Sequence, residues 1–262
     1  MQNYSNDNTA GRYKAHVDSF GITQHHLRNP YIVAWWSAAF PGFGHMLLSK
    51  EIRGLILVVL EIFININANI NLGIIYMFQG DMSSVISVVD TRWLIIYMPV
   101  YLFTIWDSYR TTIDLNNISV LEEHEQHRYN TFSLGSFKVH TLDKQNPAMA
   151  LLWSLFMPGL GHLYIGRLIS AYFIIFWVLI FFYFSNVLEA LVFLILGDIQ
   201  FATSILEPKW LLFLPSTYGF AMFDAYTNAV ENNKLFDREQ KHFLKKKYQH
   251  TDFRVLKGQK VR

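Results

Sequence analysis

Two histidines of the 262-residue chain each precede an aspartate by the same number of residues. His45 lies 62 residues before Asp107, and His162 lies 62 residues before Asp224. A carboxylate beside a histidine orients the ring and influences its charge near neutral pH. The spacing therefore predicts one His–Asp contact in each half of the chain. Such a contact is either a site that handles protons or ions, or a structural lock.

A tyrosine follows each aspartate two residues later, and we expect it to assist the pair. These residues are Tyr109 and Tyr226. The same set of side chains in both halves is typical of an element that determines the fold. We therefore favour the structural lock, and proton or ion handling is the alternative.

A further candidate is a carboxylate inside an apolar run. Glu61 lies within Gly54–Ile64, where the second half has Val178, and four asparagines follow it: Asn65, Asn67, Asn69 and Asn71. An ionisable side chain in an apolar segment is a candidate functional residue. These residues either line a polar cavity or bundle interior, or face a polar partner or the outer surface. The difference between the halves indicates that they have diverged in role.

An internal repeat relates these residues to one another. A shift of 117 positions aligns 29–117 with 146–234 without gaps, and 20 of the 89 aligned residues are identical. The pentapeptides PGFGH (41–45) and PGLGH (158–162) coincide. The alignment predicts a tandem duplication, with 29–117 as repeat 1 and 146–234 as repeat 2.

Each pentapeptide contains residues that interrupt a helix. Proline removes a helical hydrogen bond, and glycine permits a tight backbone and the close approach of helices. The residues concerned are Pro41, Gly42, Gly44, Pro158, Gly159 and Gly161.

The predicted fold class is an all-α membrane protein with two tandem homologous helical repeats. Hydrophobic residues make up 52% of the chain and charged residues 16%, and the apolar runs are too long for strands. Each repeat should contain a Pro-Gly-broken dipping or half helix and two transmembrane helices. The remaining segments are a polar N-terminal segment (1–28), a charged cytoplasmic linker (118–145) and a basic cytoplasmic tail (235–262).

The basic residues predict the orientation of the chain in the cell membrane. If the Pro-Gly segments dip and return, 20 of the 22 Lys and Arg residues lie on the side of both termini; if these segments cross, only 15 do. Lys and Arg concentrate on the cytoplasmic side. We therefore favour parallel repeats with cytoplasmic N- and C-termini over inverted repeats.

The linker and the tail suggest few partners besides lipid. Ser119 and Glu122 resemble the capping box of a linker helix. His124 and His127 have a spacing that suits a metal, but they lie among glutamates, so we favour a charged helix and predict no cofactor. The tail, which contains Lys245–Lys247, predicts contact with anionic lipid. No nucleic-acid motif is present, and other membrane proteins are further candidate partners.

The repeated motif resembles the PG-x-G-[QH]-x-Y-x-G signature of small bacterial membrane proteins related to TM2 domains. In repeat 2 the resemblance continues to Tyr164 and Gly166, whereas repeat 1 has Leu47 and Ser49 at these positions. The resemblance covers both repeats. It implies helical hairpins and a membrane location, and it implies no substrate.

The sequence contains no nucleophile elbow, P-loop, dinucleotide fingerprint, zinc-protease motif or kinase motif set. The first functional expectation is therefore a non-enzymatic multi-pass membrane protein that assembles with or regulates membrane partners. The second is a small transporter or channel that uses Glu61 and the His–Asp pairs. The third is a membrane-embedded enzyme.

Overall fold

The computed structural model describes residues 13–18, 21–24, 27–124, 128–130, 132–134, 139–141 and 144–248. Five short strands occur outside the repeats, and the all-α prediction did not include them. They are β1 (Tyr13–Asp18), β2 (Gly21–Gln24), β3 (Arg128–Asn130), β4 (Phe132–Leu134) and β5 (Val139–Thr141). Strand β1 pairs antiparallel with β2 and parallel with β3, and β4 pairs antiparallel with β5.

Both repeats are helical, and each helix of repeat 1 has a counterpart 117 residues later. The first set comprises α1 (Pro30–Ala39), α2 (Phe43–Leu47), α3 (Glu51–Ala68), α4 (Ile70–Phe78), α5 (Met82–Val88) and α6 (Thr91–His124). The second set comprises α7 (Pro147–Phe156), α8 (Leu160–Tyr164), α9 (Leu168–Ser185), α10 (Val187–Ile195), α11 (Ile199–Ser204), α12 (Pro208–Leu211) and α13 (Phe213–Tyr248). Helices α12 and α13 together correspond to α6.

The Pro-Gly motif joins a short helix to a single helical turn. The side chains of Asn29 and Asn146 cap α1 and α7, and a proline occupies the first turn of each. Helix α1 has 10 residues, about 15 Å at the usual rise per residue, which is half of a hydrocarbon core of about 30 Å. Gly42 and Gly159 then adopt φ values of 103° and 100°. A residue with a side chain would be strained in this backbone conformation.

The chain turns back at this motif. The Arg28 backbone N–H, just before α1, donates to Asn116 late in α6 (2.9 Å). The Tyr101 hydroxyl, early in α6, donates to a carbonyl near the end of α1 (2.8 Å). Helix α2 then brings His45 to Asp107, which lies between those two positions of α6. The Pro-Gly segment therefore runs along α6, reverses and goes back towards the end from which it came.

Helices α4 and α5 form a hairpin that leaves the helical pair α3 and α6. The chain bends by 62° between α3 and α4 and by 91° between α5 and α6. The Asp90 N–H donates to the Ala68 carbonyl (3.1 Å), and in repeat 2 the Glu207 N–H donates to the Ser185 carbonyl (3.1 Å). The asparagines that follow Glu61 therefore lie at the end of α3 and the start of α4. Between these two helices Asn69 is left-handed, with φ 54°.

Helices α6 and α13 continue across the predicted boundaries at 117 and 234, with 34 and 36 residues. The Ser119 hydroxyl donates to the Leu115 carbonyl within α6 (3.0 Å). The prediction of a separate linker helix capped by Ser119 is therefore wrong, because α6 itself supplies that turn. His127 and the tail beyond Tyr248 lie outside the described residues, as do the side chains of Lys245–Lys247.

One helix of the described chain, Leu168–Ser185, is long and apolar enough to cross a membrane. The number rises to three if each bent pair, α3 with α4 and α5 with α6, counts as one span. The core joins the two repeats through aromatic rings. Phe43 stacks on Phe220, with ring centroids 4.1 Å apart, and Phe40 packs against Phe213 at 5.8 Å.

Candidate functional site

The structure brings each predicted histidine to its aspartate. The His45 Nε2 atom lies 2.7 Å from Asp107 Oδ2, and the His162 Nε2 atom lies 2.9 Å from Asp224 Oδ2. Both imidazoles are fully buried. The single turns α2 and α8 hold the histidines, and α6 and α13 hold the aspartates.

The two pairs differ in their surroundings. The Asp107 side chain is 12% exposed, and its cationic neighbour Arg53, at 3.1 Å, is 46% exposed. Asp224 is fully buried and accepts from Arg167 Nη1 at 2.7 Å. The Asn228 amide donates to the other oxygen of Asp224 at 2.6 Å. The repeat 2 carboxylate is thus saturated with buried donors, whereas the repeat 1 carboxylate lies near the surface.

Arg167 also connects the repeats. Its Nη2 atom lies 3.1 Å from Glu51 Oε1 and 3.3 Å from the Met46 carbonyl oxygen, both in repeat 1. The Ser170 hydroxyl donates to the same Glu51 oxygen at 3.0 Å. We call this set the Arg167 bridge. Sequence analysis did not single out Arg167, because the bridge does not repeat.

The bridge occurs once because repeat 2 has Leu168 where repeat 1 has Glu51. Arg28, which directly precedes repeat 1, is a second cation near the buried aspartate of repeat 2. Burial lowers the pKa of the Arg28 guanidinium to about 10, and the negative charge of Asp224 opposes that shift. Arg28 therefore stays charged at neutral pH.

The predicted assistance from the tyrosines is wrong. The Tyr109 ring packs against Tyr31, with centroids 5.5 Å apart, and Tyr226 is 44% exposed. A residue two positions after the aspartate points to another side of the helix. Within the described part of the chain, neither hydroxyl is bonded to a histidine or aspartate of the pairs.

Glu61 lies in a polar cluster inside the fold. It is 5% exposed, and its Oε1 atom accepts from the Asn65 amide at 3.1 Å. The side chains of Asn65 and Asn71 are also bonded to each other (3.1 Å). Asn67 and Asn69 instead bind backbone carbonyls. The sequence left open whether these residues line a polar interior or face a partner or the outer surface. The structure supports the polar interior, which includes two of the four asparagines, Asn65 and Asn71.

This cluster faces a cavity of about 350 Å³ between the repeats. The second carboxylate oxygen of Glu61 is buried and makes no hydrogen bond with the described residues. The Tyr97 side chain lies close to this carboxylate, but no donor meets the oxygen at hydrogen-bond geometry. The polar lining consists of Glu61, Asn65, Asn71, Tyr97, Tyr101 and Ser216.

A second connection between the repeats lies beside the cavity. The Asn71 amide donates to the Lys209 carbonyl at 2.9 Å. The Lys209 ammonium donates to Asn69 Oδ1 at 2.7 Å. We call this set the Lys209 bridge. It joins α4 of repeat 1 to α12 of repeat 2. Its Asn71 and Lys209 differ between the repeats, where the equivalent residues are Leu188 and Arg92, whereas Asn69 corresponds to Asn186.

Asparagines that are identical in both repeats also have structural roles that sequence reasoning missed. The Asn116 amide donates to the Arg28 carbonyl at 2.8 Å, and Asn233 binds the Gln145 backbone in the same way. These two asparagines fix the start of each Pro-Gly segment. Their identity in the repeat alignment was the signal that could have found them.

The arrangement thus contains two His–Asp contacts, one buried Arg167–Asp224 ion pair and one cavity with a carboxylate oxygen that makes no hydrogen bond with the described residues. These sites, rather than the fold, indicate what the protein does, because a helical fold by itself does not specify a function. Comparisons of the chain with protein-family models, with curated proteins and with solved structures give no match.

Proposed function

We propose that the chain is a multi-pass membrane protein formed by duplication of a helical unit. Its two copies lie parallel in the cell membrane, with both termini in the cytoplasm. The recurrence of helix bounds after 117 residues supports the duplication. The reversal at the Pro-Gly motif supports a dipping segment, because Arg28 and His45 both lie along α6 on the same side of Tyr101.

Reporter fusions test this topology. A reporter fused after Gly80, between α4 and α5, should be outside the cell, and one fused after Ser136, in the linker, should be inside. Alkaline phosphatase activity marks the first position and green fluorescence the second. The reversed pattern would show that the Pro-Gly segments cross and that the repeats are inverted.

Within this arrangement, the His–Asp pairs are structural locks. Each histidine is buried on its aspartate, and in repeat 2 the oxygens of Asp224 already accept from three side chains. A carboxylate held by so many donors is stabilised in its charged form and is poorly suited to proton exchange. The locks hold the Pro-Gly segments against α6 and α13.

The cavity between the repeats binds a small polar solute, as a transporter or channel would. The observation that carries this proposal is the buried, unpaired oxygen of Glu61 beside about 350 Å³ of space. A buried polar atom without a partner costs free energy, and a bound solute would relieve that cost. This observation favours the transporter or channel over partner assembly, the function first expected from the sequence.

The reactivity of a thiol placed in the cavity towards water-soluble reagents tests this function. The chain has no cysteine, so a single Ser216→Cys substitution places one thiol in the lining. In lipid nanodiscs, we expect this thiol to react with small, membrane-impermeant methanethiosulfonate reagents. Mass spectrometry of the intact protein measures the rate.

Two other single-cysteine variants provide matched references. Ser87→Cys lies on the exposed surface of α5 and should react fast. Phe176→Cys replaces a ring that is 57% exposed at the middle of the apolar helix α9, so it should face lipid and react slowly. If Ser216→Cys is as slow as Phe176→Cys, the cavity is closed to solutes and the proposed function is wrong.

A further inference from the structure

We propose that the cavity selects a compact organic cation with a single positive charge, such as an alkylammonium group. This inference rests on the proposed function and specifies the chemical class of its solute. Three features of the lining support it: its charge, the use of its polar atoms and its aromatic surfaces.

Among the described residues, the lining contains one acidic side chain and no basic one. The acidic side chain is that of Glu61. Lys209 belongs to the neighbouring bridge, but its ammonium is bonded to Asn69 at 2.7 Å, and Asn69 does not line the cavity. An unpaired carboxylate in a water-poor interior attracts a cation strongly.

The asparagines beside Glu61 do not neutralise it. Asn65 donates to one carboxylate oxygen and to Asn71, and the Asn71 amide nitrogen donates to the Lys209 carbonyl. Asn65 Oδ1 accepts from the Asn71 backbone N–H at 3.2 Å. These amides are occupied with one another, so neither donates to the second Glu61 oxygen. The Tyr97 hydroxyl is the other polar group that interacts with this carboxylate, and a solute that binds Glu61 lies beside it.

The remaining lining suits an organic cation better than a metal ion. Calcium and magnesium take six or more oxygen ligands, and this cavity offers one carboxylate. The rings of Phe40, Tyr97, Tyr101 and Phe213 are part of the lining, and aromatic faces attract ammonium groups. The Tyr101 hydroxyl is bonded to the Ala38 carbonyl, so Tyr101 contributes mainly its ring. A volume of about 350 Å³ accommodates a small organic molecule.

The first test compares reagents of opposite charge on Ser216→Cys in nanodiscs. At about pH 8, where thiols are reactive, a trimethylammonium methanethiosulfonate should outpace a sulfonate one, and the rates are normalised to those at Ser87→Cys. The normalised ratio should be about 10 or more, as expected for a cleft that concentrates one sign of charge. Adding Glu61→Gln should bring it close to 1.

The second test leaves Glu61 intact. Choline and 3,3-dimethylbutan-1-ol have the same shape and differ by one charge. Choline should slow the reaction of Ser216→Cys with neutral N-ethylmaleimide by at least about 10-fold at a concentration where the alcohol has no effect, which corresponds to a preference of at least about 1.4 kcal/mol. The same concentration of choline should not slow the reaction of Ser87→Cys.

The outcomes separate this inference from the proposed function. If Ser216→Cys reacts with both charged reagents at similar normalised rates, and choline protects no better than the alcohol, the cavity admits solutes but does not select cations. The inference is then wrong and the proposed function stands. If Ser216→Cys reacts with none of the reagents, both are wrong.

Discussion

Replacing Asp224 with asparagine is expected to destabilise the protein by about 3–5 kcal/mol, the usual cost of removing one member of a buried ion pair. The Asp224 side chain is fully buried, and the Arg167 guanidinium that it binds is 5% exposed. Asparagine has nearly the same shape and still accepts a hydrogen bond from His162. Arg167 keeps Glu51 as a partner but loses its closer, fully buried one. This loss should appear as low abundance in cells and a lower midpoint of thermal unfolding in detergent.

The matched control is the equivalent substitution in repeat 1. Asp107→Asn removes the same carboxylate charge beside a histidine, but the cation at Asp107 is Arg53, which is 46% exposed and regains water. We expect a loss of about 1 kcal/mol, as for a surface ion pair. Equal losses for Asp107→Asn and Asp224→Asn would mean that the histidine contact, rather than the Arg167 bridge, determines stability.

The part of the site that could be predicted from the sequence is the part that repeats. A shift of 117 positions superimposes His45 on His162 and Asp107 on Asp224. Because the same two residue types recur at the same spacing, a contact predicted in one repeat is also predicted in the other. The Arg167 bridge and the Asn71–Lys209 contact join residues that differ between the repeats, so no internal comparison marks them. They depend on how one repeat packs against the other, which neither repeat specifies by itself.

The helical character of the repeats follows from their apolar content, but the ends of the helices do not. The apolar character of the chain continues from α3 into α4, so hydropathy does not mark the break between them. The break depends on the left-handed conformation of Asn69, and three further asparagines lie nearby in the sequence. At the other end, α6 continues past 117 because nothing in its last turns stops a helix. The sequence alone placed a boundary there because the aligned repeat ends at 117, and a helix can continue past the end of a repeat.

The close packing of the Pro-Gly turn leads to the second large effect, at Gly161. A Cβ atom there would overlap the Ser154 hydroxyl and the Ala150 carbonyl oxygen, and it would lie 3.0 Å from the Ala225 methyl group. A backbone oxygen cannot move aside without displacing α7, so we expect Gly161→Ala to cost about 3 kcal/mol, at the upper end for overpacking.

The control for this prediction is a glycine with room for a methyl group. At Gly219 in α13 a Cβ would meet only Trp36, at 3.4 Å, and alanine favours a helix over glycine by about 1 kcal/mol. Gly219→Ala should therefore leave the thermal midpoint unchanged or raise it, whereas Gly161→Ala lowers it by many degrees. If both alanines are tolerated alike, α7 and α8 pack more loosely than the contacts at Gly161 indicate. The His162–Asp224 contact alone would then hold the Pro-Gly segment against α13.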